Sequence, residues 1–392
     1  MHIAVYGNSI VAKTLLLGLL QNTKHEITWI ANAYSPVNRP IALSKSSVEL
    51  LTKLNLWNLL PENHVQEVLS MNLGNSTNID LELNAYNALQ NELAYIISTK
   101  DLDNILDIAL SFMPLLKKIE GKIAKVDYID NFDGKPKQHI TYESYINASS
   151  LHSLNMISVD NLICTQIDAN AFNHSINPNY IESLYNHYAI TSVLQSNNPH
   201  YGNAYQFFDK GNILALLPMP KYADDNSNQY ALIWSVHNPD DKTSDLLSSL
   251  HANCDLLAKL GISKILDYDN SAYKKVQLQL KLAKKIIHNH IVLMGDAAHR
   301  VHPLAGQGLN LGLRDVADLL NTLDNNCNIV QLKSRLQKYE ARRLIDMYKI
   351  AGVTHAIYNI NNSSLGKWLI SFSLKAINKI PLFQKIMAKF AN

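Results

Sequence analysis

The stretch from Ile291 to Asp315, IVLMGDAAHRVHPLAGQGLNLGLRD, constrains the fold of this 392-residue chain more than any other. Four apolar residues, Ile291 to Met294, have the length and character of a buried parallel strand. They deliver Gly295 and Asp296 at the carboxyl end of the strand, where open α/β sheets bind ligands. Pro303 stiffens the loop that follows. Gly306-Gln307-Gly308 then opens a helix whose first N–H groups lack intrahelical acceptors and whose dipole puts partial positive charge there. Glycine lets a flat ligand approach the backbone closely. Asp296 is suited to accept hydrogen bonds from ligand hydroxyls, and Asn310 to bond an imide edge. Strand, loop and helix start together specify a ligand crevice in an α/β fold.

The amino-terminal end reads as a second unit of the same kind. An apolar run at 3–6, a turn at Gly7 to Ser9, a helix from Ile10 to Leu20 and a strand ending at Ala31 make a βαβ opening. Dinucleotide-binding turns carry G-x-G-x-x-G and an acidic residue at the end of the second strand. Here Gly7-Asn8-Ser9-Ile10-Val11-Ala12 keeps only the first glycine, and Ala31-Asn32 stands where the acid is expected. Further on, Ser44 to Leu60 is expected to be one helix stopped by Pro61, and 101–119 another. Lys122 to Ile146 alternates as a meander, 185–236 contains several strand-like runs, the chain turns helical after 245, and 331–391 is expected to be all helix.

Composition excludes several classes. A formal net charge of +2 with 17% charged residues gives no concentrated basic face, so no nucleic-acid partner is expected. Cys164, Cys254 and Cys327 are isolated, which argues against a disulfide framework and against a metal site. No window reaches the roughly 18 apolar residues of a membrane-spanning helix. The opening MHIAVYG enters a strand with no basic region or cleavage site, so no signal peptide and a cytoplasmic location are expected. Of six arginines in this lysine-rich chain, five lie at or after position 300 and only Arg39 lies elsewhere.

The segment from Gly295 to Asp315 resembles the second flavin motif of the class A FAD-dependent aromatic monooxygenases related to para-hydroxybenzoate hydroxylase, and in particular their ubiquinone-biosynthesis branch. Arg39-Pro-Ile-Ala-Leu43, with Leu54-Asn-Leu-Trp57, resembles that family's arginine turn and helix near the flavin. Gly211 to Pro218 resembles its substrate-domain strand beside the ring, and Tyr339 to Arg343 with Asp346 its tail helix. A third family motif, an Asp-Gly pair, aligns with Asn147 to Met156, where the Asp, Gly and Arg are replaced.

The resemblance implies an α/β fold: a Rossmann-like FAD-binding domain of the glutathione-reductase type, interrupted by a β-rich substrate domain and followed by carboxyl-terminal helices. The FAD-binding domain would comprise 1–65, 96–155 and 273–330, the substrate domain 66–95 and 156–272, and the helical region 331–392. The cofactor would be FAD, contacted by Gly7, Ser9, Ala12, Arg39, Asp296, Pro303, Gly306, Gln307, Gly308, Leu309 and Asn310, with NAD(P)H as electron donor. Chemistry in this family belongs to a flavin hydroperoxide, so no acid–base pair is needed; His299 and His302 are the candidates for polar contacts near the ring.

The expected substrate is an aromatic ring, a polyprenylated phenol of ubiquinone biosynthesis. Leu365 to Ala391 carries five lysines, no acidic residue and several large apolar side chains. That pattern suits peripheral contact with an anionic membrane surface, the inner membrane face, or with other ubiquinone-biosynthesis proteins. A core-packed tail fits it equally. A second reading stays open at this stage: the altered residues at Ser9, Ala12, Ala31, Ser149 and Ser150 would also suit a catalytically silent scaffold or assembly subunit of the same complex.

Overall fold

The computed structural model describes residues 1–33, 38–129, 137–145, 152–172, 176, 178–209, 211–221, 228–237, 256–266, 274–302, 306–324 and 329–363. Pro303, Ser149, Ser150 and the segment 365–391 lie outside these. The chain opens with β1 (His2–Tyr6), α1 (Ile10–Asn22) and β2 (Glu26–Ala31). Then come β3 (Pro40–Leu43), α2 (Lys45–Lys53), β4 (Gln66–Val68), β5 (Ser70–Gly74), β6 (Ile79–Asn84) and β7 (Ala94–Ser98). α3 (Thr99–Ser111) precedes β8 (Leu116–Ile129), β9 (Lys137–Tyr145), β10 (His152–Val159) and β11 (Asn161–Cys164). A short α4 (Ala169–Phe172) leads to the long β12 (Tyr180–Ser196), β13 (Asn203–Asp209), β14 (Asn212–Pro218) and β15 (Asn228–His237). The described remainder is α5 (Leu256–Lys259), β16 (Ile262–Leu266), β17 (Lys274–Ala283), β18 (Ile287–His288), β19 (Ile291–Leu293), β20 (His299–Arg300), α6 (Gln307–Thr322) and α7 (Ile329–Asn362).

One sheet has the order β10-β9-β8-β2-β1-β11-β19-β18. Its centre, β2-β1-β11-β19, is parallel, and β1, β11 and β19 are almost entirely buried. α1 packs on β1 and β2, and β9 and β10 fold back to contact β11 and β1, so these strands are covered and read as continuous apolar runs. α1 is buried nearly all round and packs against α3 and α6. Lys13 in its middle is buried too, and reaches Asp103 and Asp107 of α3 at 2.8 Å each. Gly312 on α6 lies against Val11 of α1, where any Cβ would collide with the valine methyl. The expected α/β architecture is therefore present.

The second sheet runs β20-β17-β12-β15-β14-β13-β5-β6, with β16 paired to β12, and a small sheet joins β3, β7 and β4. By sheet membership, the chain leaves the first sheet after Ala31, returns at Leu116, leaves again after Cys164 and returns at Ile287. Tyr205 and Tyr230 pack edge to face in the second sheet's own core.

Three local expectations are corrected. The helix expected from Ser44 to Leu60 ends at Lys53, because Asn55 takes a left-handed φ of 58° and Leu56 N–H closes back on Leu51 O at 2.9 Å. The helix expected over 101–119 ends at Ser111, ahead of Pro114, and from Leu116 the chain pairs with β2 instead. Between 245 and 291 the described residues are helical only in α5, and then form β16, β17 and β18.

Candidate functional site

The carboxyl ends of β1, β2, β11 and β19 define one crevice, and α6 begins beside it. Gly306 occupies the N-cap of α6 with φ +65°, a left-handed conformation that suits glycine, and no side chain caps the helix. The N–H groups of Gln307, Gly308 and Leu309 therefore keep their polarity for a ligand. Gly308 is exposed, and a Cβ on it would meet nothing within 4 Å. Asp296, in a turn after β19, has its side chain 74% exposed, with Arg300 at 3.4 Å.

Asn310 does something other than expected. Its side-chain oxygen accepts from Ser44 N (2.9 Å) and Ser47 Oγ (2.7 Å), and its amide nitrogen donates to Ala42 O (2.9 Å) and Gly306 O (3.1 Å). All four of its hydrogen-bonding positions are used within the protein. Asn310 is thus a latch fixing the start of α6 to β3 and α2, and the donors facing outward are backbone N–H groups. Arg39 is exposed, and its backbone pairs with Thr99 through Arg39 N to Thr99 Oγ1 (3.0 Å) and Thr99 N to Arg39 O (2.9 Å). That pairing anchors the start of β3, the strand on which α6 is latched.

Behind this surface lies Asp315, fully buried. Its carboxylate accepts from Gly295 N (3.0 Å), His299 Nε2 (2.7 Å) and Arg343 Nε (2.8 Å). Burial opposes its ionisation, but the His299 and Arg343 side chains outweigh that and hold the carboxyl below the usual carboxylate range. Asp315 thereby ties the loop bearing Asp296 to α6 and α7. His299 belongs to this framework. His302 is 1% exposed and lies elsewhere: its Nε2 is 3.2 Å from Ser235 Oγ, and Tyr185 meets its ring edge on at 5.2 Å.

At the other end of the crevice, Gly7 has φ +128°, and a Cβ there would collide with Thr165 Oγ1. Ser9 caps α1: its Oγ accepts from Ala12 N at 3.3 Å and stands 3.3 Å from Thr165 Oγ1. One helix-start donor that a pyrophosphate would use in the glycine fingerprint is therefore already bonded. Ala12 is wholly buried. Beyond β2 a cavity of about 400 Å³ is lined by Tyr6, Asn32, Lys122, Gln166 and Asp168, with Ala33 and Ile167. Asp168 pairs with Lys122 at 2.6 Å.

The third motif is corrected here. His152 to Met156 lie on β10, the outer strand of the antiparallel meander, with Leu154 and Met156 exposed, while Asn147 to Leu151 lie outside the described residues. The parallel strand beside β1 is β11, and the turn that follows it lines the cavity with Gln166, Ile167 and Asp168. Thr165, Gln166 and Asp168 hold this position, and sequence reasoning missed them. The available signal was the short apolar run Asn161–Cys164 ahead of a polar turn, without a glycine to draw attention to it.

The residues present fit FAD. The ring side offers an uncapped helix start, open space at Gly308 and an exposed carboxylate at Asp296; the far end offers a cavity with polar lining.

Comparison with known proteins agrees. The FAD binding domain family matches residues 180–350. The ubiquinone biosynthesis monooxygenase COQ6, mitochondrial, of Danio rerio is 24% identical over 418 residues, covering 95% of this chain and 83% of that protein. The ubiquinone hydroxylase UbiL of Rhodospirillum rubrum is 28% identical over 190 residues, 46% of this chain and 42% of its own. In three dimensions, p-nitrophenol 4-monooxygenase PnpA from Pseudomonas putida superposes with a TM-score of 0.77 over 99% of this chain and 96% of that one, at 12% identity. The fold is that of FAD-dependent monooxygenases, and site and likenesses together support a class A FAD-dependent aromatic monooxygenase. Among the chain's sequence relatives are ubiquinone-biosynthesis monooxygenases and hydroxylases.

Proposed function

We propose that this chain is an FAD-dependent, NAD(P)H-using monooxygenase that hydroxylates the ring of a polyprenylated phenol on the route to ubiquinone. The observation that carries it is the start of α6: uncapped, left-handed at Gly306, open at Gly308 and locked in place by Asn310. FAD bound here and reduced by the nicotinamide donor would activate dioxygen, one atom of which enters the ring while the other leaves as water. The protein's own residues bind and orient. The N–H groups of Gln307, Gly308 and Leu309 face the electron-rich edge of the ring system, and Asp296 takes ribityl hydroxyls. The cavity beyond β2 receives the adenosine end, where Asp168 supplies the carboxylate that Ala31 and Asn32 lack.

The expected result for purified protein is a flavin absorption spectrum that bleaches anaerobically with NADPH or NADH, and a phenolic product heavier by one oxygen atom. A protein that stays colourless in excess FAD would instead favour the scaffold reading, which draws on the Ser9 cap over Ala12 N–H. Among the described residues, no helix is long and apolar enough to cross a membrane. The basic, apolar segment 365–391 is proposed as the contact with the membrane that holds a polyprenyl substrate. Co-sedimentation with anionic vesicles, lost on truncation after Ser363, tests this.

A further inference from the structure

The long helix α7 turns its acids inward and leaves a face without acids outside. Leu332, Leu336, Tyr339, Arg343, Met347 and Ala351 are buried at the three- and four-residue spacing of one helix side. Met347 and Ala351 pack with Tyr185, Ala189 and Leu280 of β12 and β17. The acids of the helix are Glu340 and Asp346. Glu340 accepts from the N–H groups of Ile286 and Ile287 at 2.8 and 3.0 Å, and Asp346 faces Arg343 at 2.9 Å and Arg314 at 3.4 Å.

The opposite side is exposed. Lys338, Arg342, Ile345, Lys349, Val353 and Ile360 follow one another along it at steps that keep them on one stripe, and Tyr348 borders them. Ile345, Tyr348, Val353 and Ile360 are 56%, 38%, 46% and 40% exposed. Gly352 and Ala356, exposed between them, keep the stripe flat. At 1.5 Å per residue the stripe from Lys338 to Ile360 is about 33 Å long. Arg342 is held by Asp318 of α6 at 2.7 Å, so Lys338 and Lys349 carry the outward charge. A contiguous run of large apolar side chains on a surface marks an interaction site.

We propose that this face of α7 docks on an anionic lipid membrane. Charge selects that occupant. Apolar side chains flanked by cations, with no acid of the helix among them, suit the boundary between lipid headgroups and acyl chains. A second copy packed face to face would set cations against cations. The chain's own segment 365–391, with five lysines and no acid, would do the same. That segment follows α7 in sequence and carries the same mixture of lysine and large apolar residues, so one composition runs on past Ser363. Because the inner side of α7 packs on β12 and β17, docking sets the second sheet against the lipid surface. The docking needs neither flavin nor turnover and stands apart from the hydroxylase reading.

The test uses the full chain and two kinds of vesicle, phosphatidylcholine alone and phosphatidylcholine mixed equally with phosphatidylglycerol. Wild type should co-sediment with the mixed vesicles and far less with the neutral ones. Lys338→Glu combined with Lys349→Glu should lower partition into the mixed vesicles at least about tenfold, since each lysine near an anionic surface contributes roughly fivefold. Ile345→Asn combined with Val353→Asn should lower it by about tenfold or more. Both double variants should melt with wild type, because all four side chains are exposed. Unchanged partition in either, with 365–391 intact, would overturn the proposal. Val353 replaced by p-benzoylphenylalanine identifies the occupant directly: illumination on mixed vesicles should give a lipid adduct. A crosslinked dimer, or a link to 365–391, in place of that adduct would overturn the assignment to membrane.

Discussion

Asp315 shows how a single residue can stabilise a loop from behind. Three donors converge on it from a backbone turn, a histidine and α7. Asp315→Asn would remove the buried charge that Arg343 Nε faces and leave it only Asp346, at 2.9 Å, a change that costs up to about 3–5 kcal/mol. Chemical denaturation should show a loss of that order, together with weaker flavin binding as the Gly295 turn loosens. Its pH dependence has a definite sign. Since the folded-state pKa is depressed, the stabilisation is complete above the ordinary carboxylate range and is lost as pH falls through the folded value. Asp315→Asn should therefore flatten the acid limb of the stability curve.

His187 and His302 give a second window. Their folded-state values are also depressed, to about 4 and about 3, so the unfolded chain binds protons first as pH falls below the ordinary value of 6.5. Stability should decline between pH 6.5 and about 4, with proton uptake on unfolding measurable by calorimetry in buffers of different ionisation enthalpy. Replacing both histidines by glutamine should remove their share of that uptake, with His25, His200, His288 and His290, also lowered by burial, supplying the rest; unchanged uptake would show that the two rings are not held neutral.

Among the elements, the two helix starts contrast. α1 is closed by its own Ser9, whereas α6 has a left-handed glycine and no side-chain cap. Gly308→Ala separates folding from binding. Alanine is the better helix former by up to about 1 kcal/mol, and its methyl meets no protein atom within 4 Å. The melting temperature should hold or rise while flavin affinity falls, measured by quenching of flavin fluorescence. An unchanged affinity would mean that the helix start does not face the ring. The same elements show what sequence patterns miss: α2 and α3 both stop early, one at the left-handed Asn55 and one ahead of Pro114. Apolar residues continue beyond both stops, Leu54, Leu56 and Leu60 buried after one and Phe112 and Leu115 exposed after the other, so periodicity alone ran past them.

Across the whole molecule, the crevice joins segments far apart in the chain. Asp168 follows β11, Lys122 comes from β8, Asn32 follows β2 and Asp296 follows β19, and only the parallel sheet order brings their turns together. Asp168→Asn should weaken FAD binding roughly tenfold to a hundredfold, the range for a lost charged hydrogen bond. FMN binding should hardly change, because FMN lacks the adenosine half. Titration of the apoprotein with each flavin checks this, and parallel losses for both would remove Asp168 from the adenosine end.

The sequence by itself determined the parts whose chemistry is local. Strand, turn, proline loop and helix start follow one another within Ile291–Asp315, so their residue types disclosed an α/β crevice and the flavin family it resembles. The altered turn at Gly7 to Ala12 was legible for the same reason. Tertiary structure alone decided the groups that owe their place to distant partners. Asn310 had the right chemistry for a ligand, but its four hydrogen-bonding positions were filled by Ala42, Ser44, Ser47 and Gly306. Thr165 to Asp168 carry no motif, and gained their position because β11 pairs with β1. Ser235 sits between His187 and His302 only because β12 and β15 lie side by side. Hydrogen bonds across such separations depend on sheet order and register, and no local pattern in the chain encodes them.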